Sequence, residues 1–183
     1  MSGGSWIELD EPAVITYKNE QLPASKCPHR PERIPIDFSS ESLHDKLSAL
    51  PISAPVIVVI ERVFMYLTEG QIQELLRTLR MLWPEHRLVC DLMTQKFISK
   101  YARTAHDKIK ELGAQFVREV DDHEELFRAA GYHPLEKHSV VARAIELGTL
   151  KIPRFIVRFF LRSLANGYVV YVFDPRLRGG GVN

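Results

Sequence analysis

Residues 54–91 constrain the fold more than any other stretch of the chain. The run Pro55-Val-Ile-Val-Val-Ile60 is apolar, rich in β-branched residues and too short for a buried helix. Without polar alternation it reads as a strand covered on both faces, as in a parallel sheet. It stops abruptly at Glu61, and Arg62-Val-Phe-Met-Tyr-Leu67 leads into a helix from Thr68 to Leu82. Thr68 and Gln71 have the spacing of a capping box. Ile72, Leu75, Leu76, Leu79 and Leu82 share one helical face, and Pro84 prevents continuation. A second apolar strand, Arg87-Leu-Val-Cys90, stops at Asp91. Strand, helix and strand in this length predict a right-handed βαβ crossover, hence an α/β fold.

Upstream, Ser5–Leu9 reads as a short strand ending in Asp10-Glu11-Pro12. Pro12 is suited to a first helical turn, and opens a helix over Ala13–Gln21 that Pro23 closes. Arg33-Ile-Pro-Ile-Asp37 is a further short strand, and its Pro35 points to a sheet edge. Ser39 or Ser40 caps an expected helix over Glu41–Leu50. Downstream, helices are expected over Lys96–Leu112 and, capped by Asp121 or Asp122, over Glu124–Ala130, where Gly131 stops it. A strand is expected around His138–Val141, a helical turn over Ala142–Leu147 ending at Gly148, and a helix from Pro153 to Leu164. Asn166-Gly167 forms a turn before the last strand, Tyr168–Phe173. A Gly-rich tail, 175–183, is expected to be disordered.

A chain of 183 residues with 45% apolar and 26% charged residues suits about one globular domain, here placed at 5–174. A net charge of +1 provides no basic field for nucleic acid. No apolar run reaches the roughly 18 residues of a membrane span, and the N-terminus has no signal-peptide pattern. Cys27 and Cys90 make neither a disulfide framework nor a zinc site, in keeping with a soluble, cytoplasmic setting. The seven histidines show no metal-ligand spacing.

Four strand segments in series end in an acid: Glu8 or Asp10, then Asp37, Glu61 and Asp91. Open α/β sheets bind ligands beyond the carboxyl ends of their strands. Carboxylates there accept hydrogen bonds from a ribose diol or an exocyclic amine, and they favour a nearby positive centre. Any one of them also fits the plainer role of helix cap or loop residue.

These segments carry a family resemblance. Glu8-Leu-Asp10-Glu-Pro12-Ala-Val-Ile-Thr-Tyr-Lys18 resembles the E-x-D-x-P-x-V-x-x-x-K segment of the leucine carboxyl methyltransferase family. Arg33-Ile-Pro-Ile-Asp37-Phe38 is similar to its R-V-x-x-D-L element. Ile60-Glu-Arg-Val-Phe-Met-Tyr-Leu67 resembles its A-E-G-V-L-M-Y-L signature. Phe127-Arg-Ala-Ala-Gly131-Tyr132 and Gly167–Phe173 resemble its closing elements.

The resemblance implies a Rossmann-like class I methyltransferase sheet, mostly parallel with an antiparallel C-terminal strand, and S-adenosylmethionine as methyl donor. It places Asp10 at the ribose hydroxyls, Asp37 and the Phe38 backbone at the adenine, and Glu61 beside the methionine part. Tyr66 is a substrate-side candidate, although a packing role is as common for such a tyrosine. The acceptor implied is a carboxylate or hydroxyl of a small molecule or peptide. Chemistry of this kind depends mostly on alignment.

Two departures accompany the match. Arg62 stands where a small residue is expected, so it either pairs with Glu61 or intrudes on the donor pocket. The fold's central first strand and its glycine-rich donor loop are not among the matched segments, and Gly3-Gly4 is no substitute. The sheet is then expected to be N-terminally incomplete, with two open inner edges that self-association or a further N-terminal segment would cover. A noncatalytic interaction remnant and a nicotinamide-binding α/β protein are the alternative readings. Arg154, Arg158 and Arg162, spaced beside Phe155, Phe159 and Phe160, read as the solvated stripe of a sheet-packed helix rather than a membrane-surface helix.

Overall fold

A computed structural model describes residues 4–38, 40–50, 52, 55–101, 123–151 and 166–176. The chain divides into two compact units, 1–51 and 52–183.

In the first unit, β1 (Ile7–Asp10) lies parallel to β2 (Glu32–Pro35). Helix α1 (Pro12–Gln21) joins them with Pro12 in its first turn, where a missing N–H costs nothing. Pro35 ends β2 at an unpaired edge, as a residue without a ladder donor must. Helix α2 (Leu43–Ser48) is shorter than expected, and its cap is Ser42, whose side chain accepts from the Asp45 N–H. Ser40, one candidate cap, lies too early, and Ser39, the other, lies outside the described residues. The Asp37 carbonyl accepts from the Ser40 and Glu41 N–H groups in a separate turn.

The second unit holds a four-stranded sheet of order β3 (Ile57–Ile60), β4 (Arg87–Met93), β6 (Tyr168–Asp174) and β5 (His133–Ser139). Strand β3 is parallel to β4, while β6 is antiparallel to both β4 and β5. Helix α3 (Glu69–Leu82) connects β3 to β4 and carries the expected capping box between Thr68 and Gln71. Its Ile72, Leu76 and Leu79 are buried. With Leu88, Cys90, Phe127 and Phe173 they form the core, in which the Phe127 and Phe173 rings stack with centroids 4.6 Å apart. Helix α4 (Gln95–Tyr101) follows β4, α5 (His123–Ala129) precedes β5, and α6 (Val140–Glu146) follows it. Gly131, at φ +81°, and Gly148, at φ +73°, follow α5 and α6 in the left-handed conformation that favours glycine.

Three expectations are corrected. The β3 strand is not covered on both faces: Ile57 is 69% and Val59 59% exposed, and among the described residues the strand pairs on one side only. Its apolar run matches a buried parallel strand in composition but not in position. The β4 strand does not stop at Asp91 but continues to Met93, because β6 pairs with Asp91, Leu92 and Met93 beyond the end of β3. The strand expected around His138–Val141 runs instead from His133 to Ser139, and the chain turns helical at Val140. The helix over 153–164 with its three arginines, the remainder of the helix over 96–112, Asp121 and Asp122, and the tail from residue 177 lie outside the described residues. Among the described residues no helix is long and apolar enough to cross a membrane.

Candidate functional site

In the first unit two predicted acids lie at the same end of the parallel strand pair. The Ile36 N–H donates to the Asp10 carbonyl at 3.0 Å, so Asp37 emerges just beyond the end of β2, at the carboxyl ends of two parallel strands. The Asp10 carboxylate is held at both oxygens. Oδ1 accepts the Glu11 N–H at 3.0 Å, and Oδ2 accepts from Lys18 Nζ at 3.1 Å. Lys18 reaches back from the second turn of α1, which accounts for the eight-residue spacing in the motif. The pair is part-exposed, so its attraction is screened and its role is chiefly geometric. Beneath it Arg33 donates to Glu8 Oε2 at 2.8 Å, to Asn19 Oδ1 at 2.9 Å and to the Leu22 carbonyl at 2.7 Å. These bonds tie β2 to β1 and to the end of α1. Asp37 accepts from Ser40 Oγ at 2.7 Å while its own N–H donates to Glu41 Oε2 at 2.9 Å. Lys46 and the Asp37 N–H hold the Glu41 carboxyl below the usual carboxylate range. The Phe38 side chain is exposed.

The second unit presents a second pair. Glu61 follows β3 and is largely exposed, whereas Asp91, in the middle of β4, is only 5% exposed. They do not form the matched row of strand-end acids expected from the sequence. Asp91 Oδ1 accepts the Arg62 N–H at 2.7 Å. Its buried Oδ2 has no hydrogen-bond partner among the described residues. Arg62 adopts φ +55°. Its guanidinium engages the Tyr168 hydroxyl, which raises its pKa, and approaches Glu61 Oε1 only to 3.9 Å. Of the two fates expected for Arg62, the structure shows a loose, exposed pairing with Glu61. Burial and the Asp91 carboxylate push the Tyr168 hydroxyl up, against the opposing pull of Arg62. Tyr66 ends a short 3-10 turn, Phe64–Tyr66, and is half-buried.

Lys18 and Arg33 belong to the matched motifs, but their bonds to Asp10 and Glu8 follow only from the fold that brings them together. Tyr168 carried no signal for its place either, because only the antiparallel register, Met93 opposite Tyr168, brings it near Asp91. A cavity of about 680 Å³ lies elsewhere in the second unit, lined by Arg77, Arg80, Met81, Ala130 and Pro175 among others. Pro175 follows the end of β6 that pairs with the start of β4, so this cavity lies at the opposite end of the sheet from Glu61.

Strand-end carboxylates on parallel strands, joined by helices, place the chain in the α/β class. Residues 1–80 match the family model described as leucine carboxyl methyltransferase, the family the motifs resemble. The fold is that of class I S-adenosylmethionine-dependent methyltransferases. Similar solved structures include a DUF574 family protein from Streptomyces avermitilis, with TM-score 0.58, 13% identity, and coverage of 92% of this chain and 64% of that one. LepI in complex with SAM gives TM-score 0.53 at 17% identity, covering 94% of this chain and 36% of that one. The N,N-8-amino-8-demethyl-D-riboflavin dimethyltransferase RosA from Streptomyces davawensis gives TM-score 0.53 at 13% identity, covering 93% and 42%. The chain thus spans between about a third and two thirds of the length of these structures. No curated protein matches it in sequence.

Proposed function

We propose that the chain forms part of an S-adenosylmethionine-dependent O-methyltransferase, whose acceptor is a carboxylate or hydroxyl of a small molecule or peptide. One observation carries this reading. The segment that matches the methyltransferase family is also the segment that places Asp10 at the end of β1 and Asp37 just beyond the end of β2, at the same end of the parallel pair. LepI, a similar structure, is crystallised with SAM, and RosA is a dimethyltransferase, which supports the donor. In this reading Asp10, oriented by Lys18, accepts from the ribose hydroxyls. Asp37 and the Phe38 backbone recognise the adenine, and Glu61 faces the methionine portion. Tyr66 is the substrate-side residue, and the setting is cytoplasmic.

The β3 edge favours a second feature. The opposite edge strand, β5, carries a bulge between Pro134 and Glu136 and the charged run Glu136-Lys137-His138, devices that block edge pairing. Strand β3 has no charge, proline or bulge and exposes Ile57 and Val59. An edge of this kind takes another strand, from a second copy or from a segment N-terminal to the matched region. A purely noncatalytic interaction module would use the same edge. Titration with S-adenosylhomocysteine separates the two: saturable binding is expected of a methyltransferase, and no binding at millimolar ligand, roughly −4 kcal/mol, overturns that reading.

A further inference from the structure

Glu61 stands on an unusual piece of backbone. The next residue, Arg62, occupies the left-handed region at φ +55°, where a side chain with a β-carbon pays about 1–2 kcal/mol relative to the ordinary conformation. Glycine would adopt this turn without strain. Something must therefore hold the turn, and among the described residues its backbone makes one side-chain contact, the part-buried 2.7 Å bond from the Arg62 N–H to Asp91 Oδ1.

The placing of that carboxylate is specific. Ile60 pairs with Cys90, so Asp91 sits one residue beyond the last paired residue of β3, beside the turn. Burying a carboxylate is expensive unless its oxygens are satisfied, yet Oδ2 has no hydrogen-bond partner among the described residues. The bond accepted from the strained N–H is charge-assisted, and such bonds are short and strong; the same carboxylate also acts on the Tyr168 hydroxyl.

We propose that Asp91 is a positioning residue: a clamp that keeps the Glu61–Arg62 turn left-handed, in place of the glycine that would adopt it unaided, and so fixes the direction in which Glu61 presents its carboxylate. Asp91 acts through the Arg62 amide and does not touch the donor. The functional half of this inference rests on the reading of Glu61 as a donor-side residue.

The test is a cycle of Asp91→Ala, Arg62→Gly and the double variant, with two readouts. The first is amide hydrogen exchange and backbone chemical shift at residues 61–63, which needs no ligand. Asp91→Ala is expected to speed exchange at residue 62 by about 10–100-fold, the loss of one hydrogen bond to a charged acceptor, and to move the shifts of 61–63 away from left-handed values. In the double variant the shifts return, because glycine needs no clamp. The second readout is affinity for S-adenosylhomocysteine. A loss of about tenfold in Asp91→Ala is expected to be recovered to within about threefold by Arg62→Gly, since the strain removed is worth that much.

Unchanged backbone shifts at 61–63 in Asp91→Ala overturn the clamp. An affinity loss that Arg62→Gly fails to recover overturns its link to Glu61. If no protein in the cycle binds the ligand, the functional reading has failed while the backbone readout still decides the clamp. Should Asp91→Ala not fold, Asp91→Asn retains an acceptor oxygen without charge. It is expected to give a smaller increase in exchange and the same recovery by Arg62→Gly, and absence of either overturns the proposal.

Discussion

Replacing Gly131 by alanine tests how the end of α5 is built. Gly131 has φ +81°, and a β-carbon added there would lie 2.8 Å from Cζ of Arg80, with Nη1 closer still. Two costs follow. The left-handed backbone costs an alanine about 1–2 kcal/mol, offset by about 0.4–1 kcal/mol because alanine has less unfolded-state freedom to lose. Arg80 must also swing away, breaking the 2.8 Å bond from Nη1 to the Ala130 carbonyl, worth about 1 kcal/mol at an exposed site. The sum is a destabilisation of about 1–2.6 kcal/mol. For a chain of this size that lowers Tm by roughly 2–10 °C. Thermal unfolding followed by circular dichroism measures it. In an Arg80→Ala background the displaced bond is already absent, so the same substitution should cost about 1 kcal/mol less. A Gly131→Ala variant as stable as the parent would refute both the left-handed turn and the Arg80 contact.

Two further outcomes are expected. His86 is 1% exposed, its Nδ1–H donating to the Trp83 carbonyl at 2.6 Å and its Nε2 lying 3.1 Å from the Tyr132 hydroxyl. Burial pushes its pKa down; the Trp83 carbonyl and Asp174 pull the other way, and Arg80 adds to the lowering. The unfolded chain then binds the proton more readily, so His86 contributes stability that is complete above about pH 6.5 and is lost as pH falls towards its folded pKa. Urea midpoints between pH 8 and pH 5 measure this, and a His86 ring that titrates at or above the free-histidine value in the folded protein would contradict it. Val59→Lys should cost less than about 1 kcal/mol, since Val59 is already 59% exposed and the lysine stem covers the same surface. Sedimentation velocity should show the variant no more associated than the parent; a variant that fails to fold would show that the outer face of β3 is covered.

Local signals in the sequence were enough for the elements that depend on them. The Thr68–Gln71 capping box, the apolar face Ile72–Leu76–Leu79, Pro12 in the first turn of α1 and the glycines after α5 and α6 each act within a few residues, and each appears as expected. The misplaced features depend on partners distant in sequence. Whether Val59 is buried depends on what packs on its face of β3, and composition cannot report that. Asp91 looked like a strand end because the apolar run breaks there, yet β6 carries the ladder two residues further. The same register makes Asp91 a buried partner of the Arg62 amide rather than a second exposed acid beside Glu61. The Asp10–Asp37 pair was legible because two parallel strands joined by one short helix bring their ends together directly.

The most direct test of the account is a titration of the isotope-labelled protein with S-adenosylhomocysteine, followed by amide chemical shifts. Binding should move the amides of Asp10, Asp37, Phe38 and Glu61 along one saturation curve, with Asp10→Ala weakening it. Absence of any saturable change at millimolar ligand, or a nicotinamide dinucleotide moving the same amides more tightly, would contradict it.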